Sequence, residues 1–334
     1  MTITLAHGNG GLRMRELVDD IFARRLANPL LNTEQDAASL LLDKQHYAFT
    51  TDGFTVQPLF FPGGNIGSLA IHGTVNDLAV SGARPRYLSL NAFIEEGLSI
   101  KELTTVVDAM ATAARKAEIF IVTGDTKIVP RGHGGGIYFA TTGIGERQAC
   151  FKLGQENIRP GDALLVSGTI GNHGIAVMMA RESFGLHCDI VSDSASIWPL
   201  VAALQNLANP EAIKCMRDPT RGGLNMVVQD WSRTTGLGIN LIDDQLPIQP
   251  AVASVCNMLG YDPFNLACEG RIILAAEPSV ADTILMAWRD LPEGTGARKI
   301  GNFTGDHQQV VLHTDIGGQR ILQPLEDEPL PRIC

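Results

Sequence analysis

The chain has 334 residues, 45% of them hydrophobic and 19% charged, the composition of a globular protein with core enough for two domains. A formal net charge of −10 speaks against general affinity for nucleic acid or an anionic membrane. The six cysteines form no Cys-x-x-Cys pair and are too sparse for a disulfide scaffold, which argues against a structural zinc site and for reduced thiols. The first residues show no basic segment followed by an apolar core, and no apolar run is long enough to span a bilayer. A soluble cytoplasmic protein is expected.

In chain order, Gly8-Asn9-Gly10-Gly11 reads as a loop, and Leu12, Leu17, Ile21, Phe22 and Leu26 fall near helical spacing, predicting a helix over 12–27. A strand is predicted at 46–51, running into Asp52-Gly53. A Pro- and Gly-rich loop covers 57–65, and a largely buried helix at 66–81 carries Asn76 and Asp77. A strand (86–94), an amphipathic helix (99–117) and two strands (119–123, 137–145) follow, so the first half is α/β or α+β. Arg159-Pro160-Gly161-Asp162 is a turn before the β-rich run Ala163 to Ser167, and the domain boundary is expected near 150–160. In the second half, helices are expected at 172–183, 195–207, 222–235, 248–259 and 279–290, with strands at 238–243, 271–276, 297–303 and 308–313. The closing segment, Glu326-Asp327-Glu328-Pro329-Leu330-Pro331-Arg332-Ile333-Cys334, is acidic, and its prolines restrict it to extended conformations. It reads as a solvated arm with a thiol at its tip, and an exposed thiol is available for chemistry. The plainer reading is a frayed end that finishes in Cys.

Three aspartates follow apolar or β-like runs: Asp52, Asp125 and Asp218; Asp77 is a fourth candidate. Carboxylates at strand ends suit Mg²⁺ shared with phosphates; the alternative for each is a turn former or helix cap. Gly8 to Gly11, Gly132-His133-Gly134-Gly135-Gly136 and Arg221-Gly222-Gly223 are Gly-rich loops whose N–H groups have room to approach a phosphate, although such loops are more often turns. The last of them opens a predicted helix, whose amino end attracts anions. No P-loop pattern occurs. Lys127 stands two residues beyond Asp125, on the same face if the strand continues, either beside a transferring phosphoryl group or in a simple surface ion pair. Glu269, between an apolar stretch and a strand, is either a base with a raised pKa or the partner of Arg271 or another cation. Cys150, Cys188, Cys215, Cys256 and Cys268 lie in or beside apolar segments and read mostly as small core residues.

Thr51-Asp52-Gly53, Val75-Asn76-Asp77-Leu78-Ala79, Gly124-Asp125-Thr126-Lys127, Arg217-Asp218-Pro219-Thr220-Arg221-Gly222-Gly223 and Cys268-Glu269-Gly270 occur in one order. With Pro331-Arg332-Ile333-Cys334 they closely resemble the HypE family of carbamoyl dehydratases, which serve NiFe-hydrogenase maturation. The resemblance covers essentially the whole chain; Asn9 is a small departure in the first Gly loop. It implies a two-domain PurM-like fold. Residues 1–155 would form an ATP-binding sheet domain that dimerises into a barrel, 156–325 an α/β sandwich, and 326–334 a mobile tail. ATP would lie in the cleft with Mg²⁺ bridging its phosphates to Asp52, Asp77 and Asp218. Gly8, Asn9, Gly10 and Gly11 would close over the nucleotide, and Asn76, Asp125, Arg221, Gly222 and Gly223 would also bind it.

The resemblance further implies that the carbamoyltransferase HypF loads a carbamoyl group onto the sulfur of Cys334. ATP then drives dehydration of the S-carboxamide to a thiocyanate, and the cyano group passes to the HypC–HypD complex for the Fe(CN)₂CO centre. Glu269 is the expected base and Lys127 the stabiliser of charge on the amide oxygen or phosphate. Residues 326–334 span at most ~30 Å when extended, enough for the tail to swing between ATP and partners. A selenophosphate synthetase of the same superfamily normally has a reactive Cys or selenocysteine near its amino terminus, whereas the first cysteine here is Cys150. A purine-pathway synthetase has no use for a terminal cysteine arm. A nucleotide-sensing scaffold whose tail docks a partner would bind ATP without turnover.

Overall fold

The computed structural model describes residues 11–17, 19, 38–42, 45–181, 189–327, 330 and 333. Gly8, Asn9, Gly10 and Cys334 lie outside these residues. The first domain runs through α1 (Leu12–Leu17), β1 (Ala38–Leu42), β2 (Gln45–Phe54), the short strands β3 (Phe60–Phe61) and β4 (Gly64–Asn65), and α2 (Ile66–Val80). It continues through β5 (Ala83–Glu95), α3 (Ile100–Lys116), β6 (Phe120–Val129) and β7 (Ile137–Arg147). The sheet order is β1-β2-β7-β5-β6, antiparallel except for the parallel pair β5–β6.

Period-two patterning turns one face of this sheet inward: β7 alternates buried and half-buried residues along its length. That face is covered by α2, which is apolar on nearly every side and buried accordingly. Asn65 starts α2, its Oδ1 accepting from the N–H groups of Gly67 (2.9 Å) and Ser68 (3.3 Å). Ser99 starts α3 in a capping box with Glu102, and α3 buries only Val106, Met110, Ala113 and Ala114. The edge strand β6 is exposed almost throughout, with Phe120, Val122 and Ile128 each more than half exposed.

Strands β2 and β6 run past the points at which the sequence pattern ends them. Gly124 does not end β6; it lets the Leu90 carbonyl come in so close that a Cβ there would collide with it, and pairing continues to Val129. Gly53 likewise pairs with Ala140 inside β2. Asp52 and Asp125 therefore sit within strands, not beyond their ends.

The second domain contains β8 (Ala163–Val166), α4 (Asn172–Arg181), α5 (Trp198–Leu204), β9 (Ile213–Arg217), α6 (Gly223–Thr235), β10 (Gly238–Ile242) and α7 (Pro250–Leu259). It closes with β11 (Ile273–Ala276), α8 (Ala281–Arg289), β12 (Arg298–Thr304), β13 (Val310–His313) and β14 (Gln319–Ile321). The sheet order is β14-β13-β10-β12-β8-β11-β9, with only β10–β13 parallel. Helices cover both faces. Leu164 and Val166 join Trp231 of α6 on one side, while Ala163 and Leu165 join Leu200 of α5 and Trp288 of α8 on the other. β8 and β11 are thus buried on both faces, which is why they read as continuous apolar runs. Among the described residues no helix is long and apolar enough to cross a membrane.

Candidate active site

The two domains are joined at α2. Asn76 is fully buried, and its side chain is spent on the second domain's backbone. Nδ2 donates to the carbonyls of Ala195 (3.0 Å) and Glu269 (3.1 Å), and Oδ1 accepts from the N–H of Ile197 (2.9 Å). This fixes Glu269 against α2. The neighbouring Asp77 accepts from Thr50 Oγ1 at 2.8 Å. Asp52 projects from the inner face of β2 toward α2: a Cβ on Gly73 would lie 3.5 Å from its Oδ2. Burial pushes the Asp52 pKa up, against the pull of Arg221 and of the Gly53 N–H.

From the other side come Asp218, buried just beyond β9, and Arg221 at the foot of α6. Gly222 (φ 75°) and Gly223 (φ 60°) follow in the left-handed region, so only glycine opens α6 in this way. Glu269 lies between these groups. It is 2% exposed, and its Oε1 is buried with no hydrogen-bond partner. Burial drives its pKa well above the usual carboxylate range, reinforced by Asp218, Asp52 and Asp193 and opposed by Arg221. Its N–H donates to Asp193 Oδ1 at 3.2 Å. Gly270 is required here, because a Cβ would collide with the Asp193 carbonyl. Arg271 approaches Asp193 Oδ2 (3.4 Å) and donates to the Thr169 carbonyl (3.0 Å); it is the partner of Asp193, not of Glu269. A buried carboxyl with an unfilled acceptor, ringed by carboxylates and one guanidinium, has surroundings in which a proton can be exchanged.

The model of the AIR synthase related protein N-terminal domain matches residues 34–147, and that of the C-terminal domain residues 159–313. The carbamoyl dehydratase HypE of Escherichia coli is 44% identical over 337 aligned residues, which cover 99% of this chain and 99% of that protein. The chain belongs to the HypE family. A solved HypE in complex with ATP has a TM-score of 0.82 at 41% identity and covers 100% of both chains. A HypE–HypF complex has a TM-score of 0.87 at 40% identity, covering 92% of this chain and 99% of that one. The fold is accordingly the two-domain PurM-like α/β fold of HypE.

Not every residue singled out in the HypE motifs meets around Glu269 within one chain. Asp52 shares a row of the sheet with Thr141, Leu90 and Gly124, whereas Asp125 shares one with Asn91, Ala140 and Gly53. The two carboxylates leave opposite faces, three strand spacings or ~14 Å apart. Asp125 pairs with Lys127 at 3.0 Å on the exposed edge, and this contact holds the Asp125 pKa below its usual value. Gly11 is buried against the backbone of Leu325 and Glu326, and the Leu12 N–H donates to the Leu325 carbonyl at 2.9 Å. The glycines at 132–136 cradle an anion, but it is the chain's own: Glu95 accepts from the N–H groups of Gly132 (2.5 Å) and Gly136 (2.9 Å). Cys268 is a buried thiol whose pKa burial pushes well above its usual value, as expected of a core residue.

Among the described residues no three His, Cys, Asp or Glu side chains already form a metal cage. The excess of carboxylates around Glu269 nevertheless fits Mg²⁺, which takes one or two carboxylates and completes its shell with phosphate oxygens and water. Asp193 and His173 escaped the sequence reading. Asp193 lies on an irregular loop with no motif around it, and a lone His in an apolar helix reads as core. The only signal was the polar triplet Ser192-Asp193-Ser194 beside an apolar stretch.

Proposed function

We propose that this HypE-family chain converts an S-carboxamide on Cys334 to a thiocyanate with ATP, in the cytoplasm, supplying cyanide ligands for a NiFe-hydrogenase. The observation that supports this most is Glu269, buried, with one oxygen lacking a partner, between carboxylates of both domains. A dehydration needs a base for the nitrogen protons and a way to make oxygen leave. The carboxamide oxygen attacks the γ-phosphorus and ADP departs. The C–O bond then breaks to release phosphate, while both N–H protons are lost as the C≡N bond forms. Glu269 takes one of these protons and the departing phosphate carries away the other. Gly222 and Gly223, at the amino end of α6, and Arg221 face the phosphates. Mg²⁺ held by Asp52, Asp77 and Asp218 would neutralise phosphate charge and offset the repulsion that keeps Glu269 protonated. Asn76 acts through the backbone of Glu269, which it holds.

Lys127 and Asp125 fit the same chemistry if a second copy covers the exposed side of the first domain. The apolar side chains along β6, together with Tyr87 and Phe93, favour such a homodimer, since an uncovered edge of this kind invites pairing. HypF would supply the carbamoyl group and a HypC–HypD complex would accept the cyano group. The test is mass spectrometry of the terminal peptide after incubation with the carbamoyl donor system. The carbamoylated peptide should accumulate without ATP and lose the mass of one water when ATP is added. A carbamoylated peptide unchanged by ATP would refute the dehydratase reading.

A further inference from the structure

Beyond Ile321 the chain is tied down at successive points. The Leu322 N–H donates to the Val310 carbonyl (2.9 Å), Gln229 Nε2 to the Leu322 carbonyl (2.7 Å) and Asn225 Nδ2 to the Gln323 carbonyl (2.9 Å). Leu330 and Ile333 are then buried in the core that contains Ile175, Ala176, Leu266 and Ala267. The chain is therefore docked at Ile333, although its composition alone reads as a solvated arm.

One polar contact secures that docked end. His173, fully buried in α4, has Nε2 at 2.5 Å from the Ile333 carbonyl. A carbonyl only accepts, so Nε2 carries the proton. Nδ1 lies 2.8 Å from Ser192 Oγ, and Ser192 Oγ accepts from the Ser194 N–H at 3.1 Å. Ser192 therefore turns its own proton toward Nδ1, and the neutral Nε2–H tautomer is set. Burial holds the His173 pKa below its usual value and favours the same neutral form. The Phe61 ring, edge-on at 5.3 Å, fixes the imidazole plane. The loop that sets the tautomer also carries Asp193, which grips the Glu269 N–H. Tail seat and candidate base thus share one support.

We propose that His173 is the positioning residue that seats the tail, holding the Ile333 carbonyl beside the loop that also grips Glu269. This rests on the dehydratase reading for its purpose, whereas the alkylation test does not. The full chain is compared with His173→Leu, which keeps bulk and loses the donor, and His173→Gln, whose amide N–H reaches a similar point. Ser192→Ala removes the group that sets the tautomer without touching the tail. Iodoacetamide alkylation of Cys334, read on the terminal peptide, reports how often the tail is undocked. Single-turnover thiocyanate formation at saturating ATP, with the half-saturating ATP concentration, reports presentation.

His173→Leu should raise the alkylation rate and lower the turnover rate by about tenfold each, the scale of one buried hydrogen bond, with ATP half-saturation unchanged. His173→Gln should restore most of both, and Ser192→Ala should shift both in the direction of His173→Leu. Alkylation equal in wild type and His173→Leu, or no difference between Leu and Gln, overturns the proposal. If His173→Leu does not fold, unchanged alkylation in Ser192→Ala overturns it instead. A wild-type chain that is carbamoylated yet never yields thiocyanate refutes the dehydratase reading, while the alkylation rates still decide whether His173 seats the tail.

Discussion

Glu269→Gln is expected to leave carbamoylation of Cys334 intact and to reduce thiocyanate formation by roughly a thousandfold, within the range for a general base. Glutamine preserves shape and the backbone contacts to Asn76 and Asp193 but cannot take a proton. The carbamoylated chain should therefore accumulate in the presence of ATP. The same variant has a second signature in stability. The Glu269 pKa is raised above its ordinary value of 4.5 in the folded chain, so folding favours the protonated form. Its stabilising share is full below the unfolded pKa and is lost as pH rises toward the folded one. Wild-type stability should fall with rising pH above about 4.5 more steeply than that of Glu269→Gln, measured by denaturant unfolding at a series of pH values. A variant that makes thiocyanate at the wild-type rate would remove Glu269 from the chemistry. Parallel pH profiles would mean that the carboxyl is ionised in the folded chain.

Cys334→Ala is expected to abolish the modified species outright while fold, thermal stability and ATP binding persist. The described cysteines are poor substitute nucleophiles. Cys215, Cys256 and Cys268 are buried, and burial pushes the Cys256 thiol up to about 11 and that of Cys268 well above its usual value. Cys150 is half-buried and also shifted up by burial. Intact-protein mass spectrometry after incubation with the carbamoyl donor should show one modified form in wild type and none in the variant. Persistence of that form would move the substrate to another sulfur, with Cys150 and Cys188 the first to check.

What could be read in the chain beforehand follows from where the chemistry lies. α2 announces itself as a largely apolar run and α3 as an amphipathic one, and β8 and β11 as short apolar runs, because helices bury both faces of the second sheet. β9 did not stand out, since Lys214 and Arg217 interrupt its apolar residues and it borders the sheet on one side only. β14 is exposed at all three residues and carries no hydrophobic signature. At the site, Asp52, Asp218, Arg221 and Glu269 sit in local motifs, and the structure brings them within electrostatic reach. The face from which Asp125 projects was not legible, because it depends on Gly124 continuing a strand that its residue type suggested should end. Nor was the Asp193–Arg271 pair or the His173–Ile333 contact, since each joins segments far apart in sequence that have no motif in common.

The proposed dehydration turns on how the carboxamide oxygen leaves. Cys334 carbamoylated with a heavy oxygen isotope in the amide should, on addition of ATP, deliver that isotope into the released phosphate, one labelled phosphate for each thiocyanate formed. Recovery of the label in water, with phosphate unlabelled, would contradict transfer of a phosphoryl group to the tail and with it the proposed chemistry.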